Sequence, residues 1–155
     1  AIQQVPATFT EEMRTVGSVT LAGEVDGMIN IQVNDDFGKE MTAAMLGMQA
    51  EEIESEEEVY DVIREVSNII GGNLKSKFVD AGLACLMSTP SITYGRNFNV
   101  RPATVIQPDR FLFSQEDDII IVEAGVKRDE SGSVESPDES AEEKTQPATR
   151  RIFCG

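Results

Sequence analysis

A long amphipathic stretch between residues 51 and 82 limits the folds that this chain can adopt. Ser55 precedes Glu58 by three positions, the spacing of a capping box, and a run of acids through Glu58 stands where the positive end of a helix dipole would lie. Gly82 is a suitable residue at which a helix that starts there would end. Between them apolar residues recur at helical spacing: Val59, Val62, Ile63, Val66, Ile70, Leu74 and Phe78. The pattern predicts one helix, longer than average, that buries a single face in a core.

Strand patterns stand on both sides of this predicted helix. Residues 16–33 predict a β-hairpin whose second strand, 27–33, alternates apolar and polar side chains as a half-buried strand does. Residues 37–48 carry apolar side chains at the spacing of a short amphipathic helix that stops near Gly47. Further strand-like runs follow at 83–87, 91–94, 103–106, 110–113 and 118–126. This order predicts an α+β fold, a largely antiparallel sheet with the short and the long helix packed on one face.

The length of 155 residues suits one domain with a real core. We assign residues 1–126 to that domain, with 1–15 poorly defined. Residues 127–155 are acidic and rich in Ser, Glu and Pro with hardly an apolar side chain, so they predict a flexible tail.

Composition excludes several classes of function. A formal net charge of −15 argues against nucleic acid and anionic membrane surfaces as partners, and no apolar run is long enough to be inserted in a membrane. The absence of histidine excludes catalysis through imidazole and zinc sites built on His ligands. Cys85 and Cys154 form no Cys-x-x-Cys motif, which indicates a reduced, cytoplasmic protein with Cys85 in its core. The acids at 51–58 lack the defined spacing of metal ligands, so we expect no metal or cofactor of the chain's own.

The polar face of the predicted helix is unusual. One line along it is formed by four polar residues, Asp61, Glu65, Asn68 and Lys75. Two adjacent glycines, Gly71 and Gly72, interrupt that line. Two helical glycines cost about 2 kcal/mol relative to two alanines. Either the face is merely solvated and the glycines permit close packing or a kink, or they let the backbone of another protein approach next to a carboxylate and a carboxamide.

The segment DVIREVSNIIGGNLKSKF, residues 61–78, resembles the signature helix of the CheC/CheX/FliY phosphatases of bacterial chemotaxis. That motif is Asp or Ser, three residues, Glu, two residues, Asn, and it is matched by Asp61, Glu65 and Asn68. The order of elements over residues 16–126 also resembles the family. Because residues 37–48 contain no second Glu-x-x-Asn, the resemblance is to the CheX type, with one motif, rather than to the CheC type, with two.

The resemblance implies a substrate, a phosphorylated CheY-type response regulator that carries an aspartyl phosphate and its own Mg²⁺. It implies that Asn68 orients the attacking water and that Glu65 pairs with the active-site lysine of the regulator. It also implies a homodimer that joins its sheets.

Supporting positions follow from the same resemblance. Gly71 and Gly72 would let loops of the regulator sit close to the helix, and Lys75 would meet an acidic rim on it. Asp61 would support the face without touching phosphate, because a further negative charge there is repulsive.

Two other functions stay open at this point. One is a non-catalytic module that binds a response regulator or another chemotaxis or flagellar protein with the same side chains. The other is an acidic structural or interaction protein whose helix face is solvated.

Overall fold

The computed structural model describes residue 9, residues 11–101 and residues 107–130. Within them one antiparallel sheet of six strands carries two α-helices and a short 3-10 turn. The elements are β1 (Arg14–Gly23), β2 (Val25–Asn34), α1 (Asp35–Leu46), the 3-10 turn (Ala50–Glu52), α2 (Glu56–Asp80), β3 (Cys85–Met87), β4 (Ser91–Gly95), β5 (Asp109–Gln115) and β6 (Asp118–Arg128). The strand order is β3-β1-β2-β6-β5, with β4 also paired to β1. The predicted α+β class is confirmed.

The predicted hairpin is present, and both of its strands are longer than predicted. β1 and β2 pair from Arg14 opposite Asn34 to Leu21 opposite Gly27. Only Glu24 separates the two strands, and Gly23 before it has φ +142°. A Cβ on Gly23 would lie 2.7 Å from the Ala84 carbonyl oxygen, so this tight turn needs glycine.

Both helices begin at side-chain caps; α1 starts and ends two residues earlier than the predicted range 37–48, and α2 ends two residues before Gly82. The Asn34 side chain accepts a hydrogen bond from the Phe37 amide at 3.0 Å, and α1 ends at Gly47 in the left-handed conformation. In α2 the Ser55 side chain accepts from the Glu58 amide, and the Glu58 side chain accepts from the Ser55 amide. The helices therefore have ends that are defined locally, before any packing is considered.

The core lies between the helices and one face of the sheet. The C-terminal half of α2 packs Ile70, Leu74 and Phe78 against the β1–β2 centre around Val19 and Ile29. A second apolar cluster joins the N-terminal half of α2 to α1 and the other end of β2; its buried members are Val33, Ala43, Ile53, Val59 and Ile63. This packing places one side of α2 against the sheet, and the described residues leave Glu65, Asn68 and Ile69 on its other side exposed.

The other face of β2 differs from the prediction of a half-buried strand. Asn30 and Gln32, on the face away from the helices, are buried as well. The chain after β4 crosses this face: the Asn30 amide donates to the Val100 carbonyl, and the Arg14 guanidinium lies 4.5 Å from the ring centroid of Phe98. Alternation alone signals which face is polar and not whether another segment covers it.

The sheet also continues past the predicted end of the domain at residue 126. Lys127 pairs with Asp26 and Arg128 with Val25, so both residues belong to β6 and not to the predicted tail. Cys85 is a buried free thiol, as predicted. The predicted strand at 103–106, Cys154 and the tail from 131 onward lie outside the described residues. In the part of the chain that the structure describes, no helix has both the length and the apolar character of a membrane span.

Candidate functional site

The outward side of α2 carries a free carboxylate and a free carboxamide. Glu65 and Asn68 are both exposed, and their spacing of three residues places them side by side on the helix surface. Neither side chain makes a hydrogen bond or an ion pair to any described residue. Both groups are therefore available to a molecule that approaches from solvent.

Asp61, the first residue of the motif, is already engaged within the helix. Its carboxylate lies 2.5 Å from the Arg64 guanidinium, which also stands 3.9 Å from Glu57. The charge of Asp61 is thus partly balanced next to Glu65, which agrees with a supporting position. The sequence analysis did not include Arg64 among the candidate site residues, although an Asp and an Arg three positions apart on a helix commonly form an ion pair.

The structure separates the two glycines of α2. Gly71 is buried, and a Cβ there would lie 2.7 Å from Val19 Cγ2 and 2.8 Å from Met87 Sδ. A partner cannot contact Gly71, so the prediction that both glycines face the regulator is wrong for Gly71, whose role is close packing on the sheet. Gly72 points outward, and no atom of the described residues lies within 4 Å of an added Cβ. A glycine inside a helix costs about 1 kcal/mol relative to alanine. Close packing on the sheet explains this cost at Gly71, whereas the described packing does not explain it at Gly72.

Charge changes sign along the helix. The first turn carries Glu56, Glu57 and Glu58, and the last turn carries Lys77. Lys75 is half-buried, two turns beyond Asn68, and makes no ion pair to a described residue. Net charge along α2 therefore runs from the three acids of its first turn to a weakly positive end, where Asp80 offsets one of the two lysines.

Two acids at positions 51–58 cap backbone amides at the start of the 3-10 turn and of α2. The Glu52 side chain accepts from the Gln49 amide at 2.7 Å, and the Glu58 side chain accepts from the amides of Glu54 and Ser55. Among the described residues there is no group of three or more His, Cys, Asp or Glu side chains arranged to hold a metal ion.

Two tyrosines fix the N-terminal half of α2 to the rest of the fold. The ring centroids of Tyr60 and Tyr94 lie 5.7 Å apart. The Tyr60 hydroxyl donates to Glu56 at 3.1 Å, and the Tyr94 hydroxyl donates to Asp35 at 3.0 Å. Burial, followed by these hydrogen bonds, raises the pKa of each phenol to about 12, so both stay neutral donors at physiological pH. α2 is therefore held at its start by β4 as well as by the sheet below it.

Comparison with solved structures shows the same fold in several proteins. The chemotaxis protein CheX from Vibrio vulnificus has a TM-score of 0.63 at 22% identity, with 73% of this chain and 75% of that chain covered. A CheC-like superfamily protein from Shewanella sp. PV-4 has a TM-score of 0.63 at 25% identity, with 73% of each chain covered. The CheX-CheY-BeF3-Mg complex from Borrelia burgdorferi gives a TM-score of 0.58 at 22% identity, with 77% of this chain and 85% of that chain covered.

Sequence comparison gives the family. A search of curated protein sequences finds no match. The family model described as chemotaxis phosphatase CheX matches residues 15–114, which include the hairpin, both helices and the whole outward side of α2. With this match over more than half of its length, and with the fold of solved CheX proteins, the chain belongs to the CheX family.

Proposed function

We propose that this chain hydrolyses the aspartyl phosphate of a CheY-type response regulator. Family membership supports a chemotaxis phosphatase, and the related Borrelia burgdorferi protein in complex with CheY supports the kind of partner. The observation that carries the proposal is the exposed, unengaged pair of Glu65 and Asn68 on one side of a helix that is packed firmly on its other side.

In this proposal Asn68 orients the water. The carboxamide oxygen accepts a hydrogen bond from a water placed in line with the scissile P–O bond, and its NH₂ donates to a phosphoryl oxygen. Water attacks phosphorus, the bond between phosphorus and the acyl oxygen breaks, and the aspartate carboxylate and inorganic phosphate leave. Both protons of the water end on the phosphate product, so Asn68 keeps its protonation state. The Mg²⁺ and the lysine that balance charge on the phosphoryl group belong to the regulator.

Glu65 sets the register of docking. The Glu65 carboxylate is exposed and makes no ion pair with a described residue, so it can form a charge-assisted pair with the active-site lysine of the regulator. Glu65 lies less than one helical turn before Asn68, so the pair at Glu65 brings the phosphoryl group towards the carboxamide. Asp61, balanced by Arg64, supports this face, and Lys75 meets an acidic rim of the partner.

The test is a comparison of Asn68→Ala with Asn73→Ala, a second exposed asparagine on the same helix. Each protein is mixed with phosphorylated regulators from its own organism, and phosphate release is followed. We expect Asn68→Ala to lower the maximal rate by on the order of a hundredfold or more while binding stays within a few fold, and Asn73→Ala to behave as wild type. Unchanged hydrolysis in Asn68→Ala would remove Asn68 from the mechanism. Wild type that binds a phosphorylated regulator without accelerating its decay would instead support the non-catalytic binding module.

We further propose that the protein is a homodimer in the cytoplasm, and that β5 supplies the edge at which two sheets join. Among the described strands β5 pairs only with β6, so its other edge has no strand beside it. Phe111 and Phe113 on β5 are 52% and 56% exposed. An edge strand with large apolar side chains favours pairing with a second chain.

A further inference from the structure

Gly72 is a helical glycine whose missing side chain the fold does not use. Of the three glycines inside α1 and α2, Gly38 has Val59 Cγ1 at 3.1 Å from an added Cβ, and Gly71 has Val19 and Met87 closer still. At Gly72 the same position is open space. Because glycine is the poorest helix former after proline, alanine would serve the fold better at this position.

An exposed apolar side chain borders the bare backbone at Gly72. Ile69, three positions earlier on the same helix surface, is 49% exposed and belongs to neither apolar cluster beneath α2. Asn68 lies one turn before Gly72, and Lys75 lies on the turn after it. We call Gly72 with Asn68, Ile69 and Lys75 around it the Gly72 notch.

From this geometry we infer that the Gly72 notch receives an apolar side chain of the phosphorylated regulator, packed against Ile69, and that this contact selects among regulators. The inference rests on the proposed function. The residues around the notch define the occupant. Ile69 favours an apolar side chain, while Glu65 and Lys75 favour a loop that presents a cation on one side and an acidic surface on the other. Gly72 lies about two helical turns beyond Glu65, so a loop next to the lysine that pairs with Glu65 can reach the open space beside the Gly72 backbone.

The contact at the Gly72 notch contributes to the binding free energy of the regulator independently of its phosphoryl group. Glu65 and Asn68 address the lysine and the phosphoryl group, which every regulator of this type carries, so these two contacts discriminate poorly between regulators. A neighbouring apolar contact responds to side-chain size and shape, which differ from one regulator to another. Ile69 and Gly72 are therefore specificity-determining positions, while the reacting atoms stay with Asn68.

The decisive experiment compares four single variants. Gly72→Ala and Ile69→Ser test the notch. Gly71→Ala is the control for a helical glycine that the fold requires, and Val79→Ser is the control for an apolar residue of α2 with the same exposed fraction, 49%. Each is measured for thermal stability, for affinity towards the beryllofluoride-loaded regulator, and for the half-saturation and maximal rate of hydrolysis of the phosphorylated regulator.

We expect Gly72→Ala to raise the melting temperature by roughly 2–4 °C and to weaken binding about tenfold, a combination that a structural role alone cannot produce. Ile69→Ser should raise the half-saturation about tenfold with a maximal rate within twofold of wild type. Val79→Ser should bind as wild type, and Gly71→Ala should lose stability.

The outcomes separate this inference from the proposed function. If wild type hydrolyses and both Gly72→Ala and Ile69→Ser bind as wild type, the notch is empty in the complex and the inference alone fails. If wild type neither binds nor hydrolyses any regulator, the proposed function and the inference fail together.

Discussion

Gly17 on β1 and Ser67 on α2 approach so closely that a methyl group on Gly17 would overlap the Ser67 hydroxyl. Ser67 is buried, and its hydroxyl turns back to donate to the Ile63 carbonyl at 2.7 Å. Because Ser67 directly precedes Asn68, the depth at which α2 lies on β1 decides where the carboxamide stands on the opposite side of the helix. A residue of the hairpin thus positions a residue of the candidate site that it never touches.

This contact predicts the effect of Gly17→Ala. The added methyl group must displace Ser67 and Ile63, so we expect a loss of about 1–3 kcal/mol in the free energy of unfolding, measured by denaturant titration. Ser67→Ala in the same chain removes the clashing hydroxyl and should recover part of that loss. Strictly additive effects of the two substitutions would contradict a direct contact.

Glu65→Ala should weaken docking rather than chemistry. If Glu65 pairs with the regulator's lysine as proposed, removing the carboxylate abolishes that pair, and we expect the half-saturation to rise about tenfold or more while the maximal rate changes little. Glu65→Lys should weaken binding further because two like charges then meet. The measurement is hydrolysis at varied concentrations of phosphorylated regulator. A fall in maximal rate at unchanged half-saturation would show that Glu65 acts in the chemical step instead.

The edge of β5 predicts how the oligomeric state responds to mutation. Phe111 lies opposite Val122 and Phe113 opposite Ile120, so both rings stand on the helix-bearing face of the sheet at its rim. Phe111→Ser with Phe113→Ser should shift the protein towards monomer in analytical ultracentrifugation. Leu86→Ser is the matched control, since Leu86 is 75% exposed on β3 at the other end of the sheet. Dissociation caused by Leu86→Ser alone would place the interface at that end.

Glu40 predicts a pH dependence of stability. The negative charge of Asp118, its hydrogen bond and then burial raise the pKa of Glu40 above its ordinary value of 4.5. The folded state therefore holds this proton more tightly than the unfolded state does. The resulting stabilisation is complete below about pH 4.5 and is lost as the pH rises through the folded-state pKa.

We accordingly expect Glu40→Gln to raise the midpoint of denaturant unfolding at pH 7 and to flatten its decline above pH 4.5. Glu51→Gln, at an exposed acid of the 3-10 turn, is the control for the loss of one negative charge. If Glu40→Gln lowers the midpoint at pH 7, the carboxylate at position 40 is stabilising and the assigned sign is wrong.

Much of the fold and part of the candidate site could be predicted locally. The caps at Asn34, Ser55 and Gly47 and the apolar periodicity of α2 are properties of neighbouring residues, so they appear in the sequence as they do in the structure. The same holds for Glu65 and Asn68, because helical spacing alone places them together on the polar side. The burial of Asn30 could not be predicted in this way, since the residues that cover it, around Val100, are distant in sequence.

The helices, the hairpin and the motif on α2 follow from local sequence, because hydrogen bonds and side-chain periodicity over a few residues are enough to specify them. Which of the two glycines packs on the sheet depends instead on contacts between α2 and the distant strand β1. Gly71 and Gly72 are chemically identical neighbours, and they differ because α2 lies on β1 with one of them against Val19 and the other turned about 100° away towards solvent. That rotation is set by the packing of the whole helix on the sheet, which no short stretch of sequence contains.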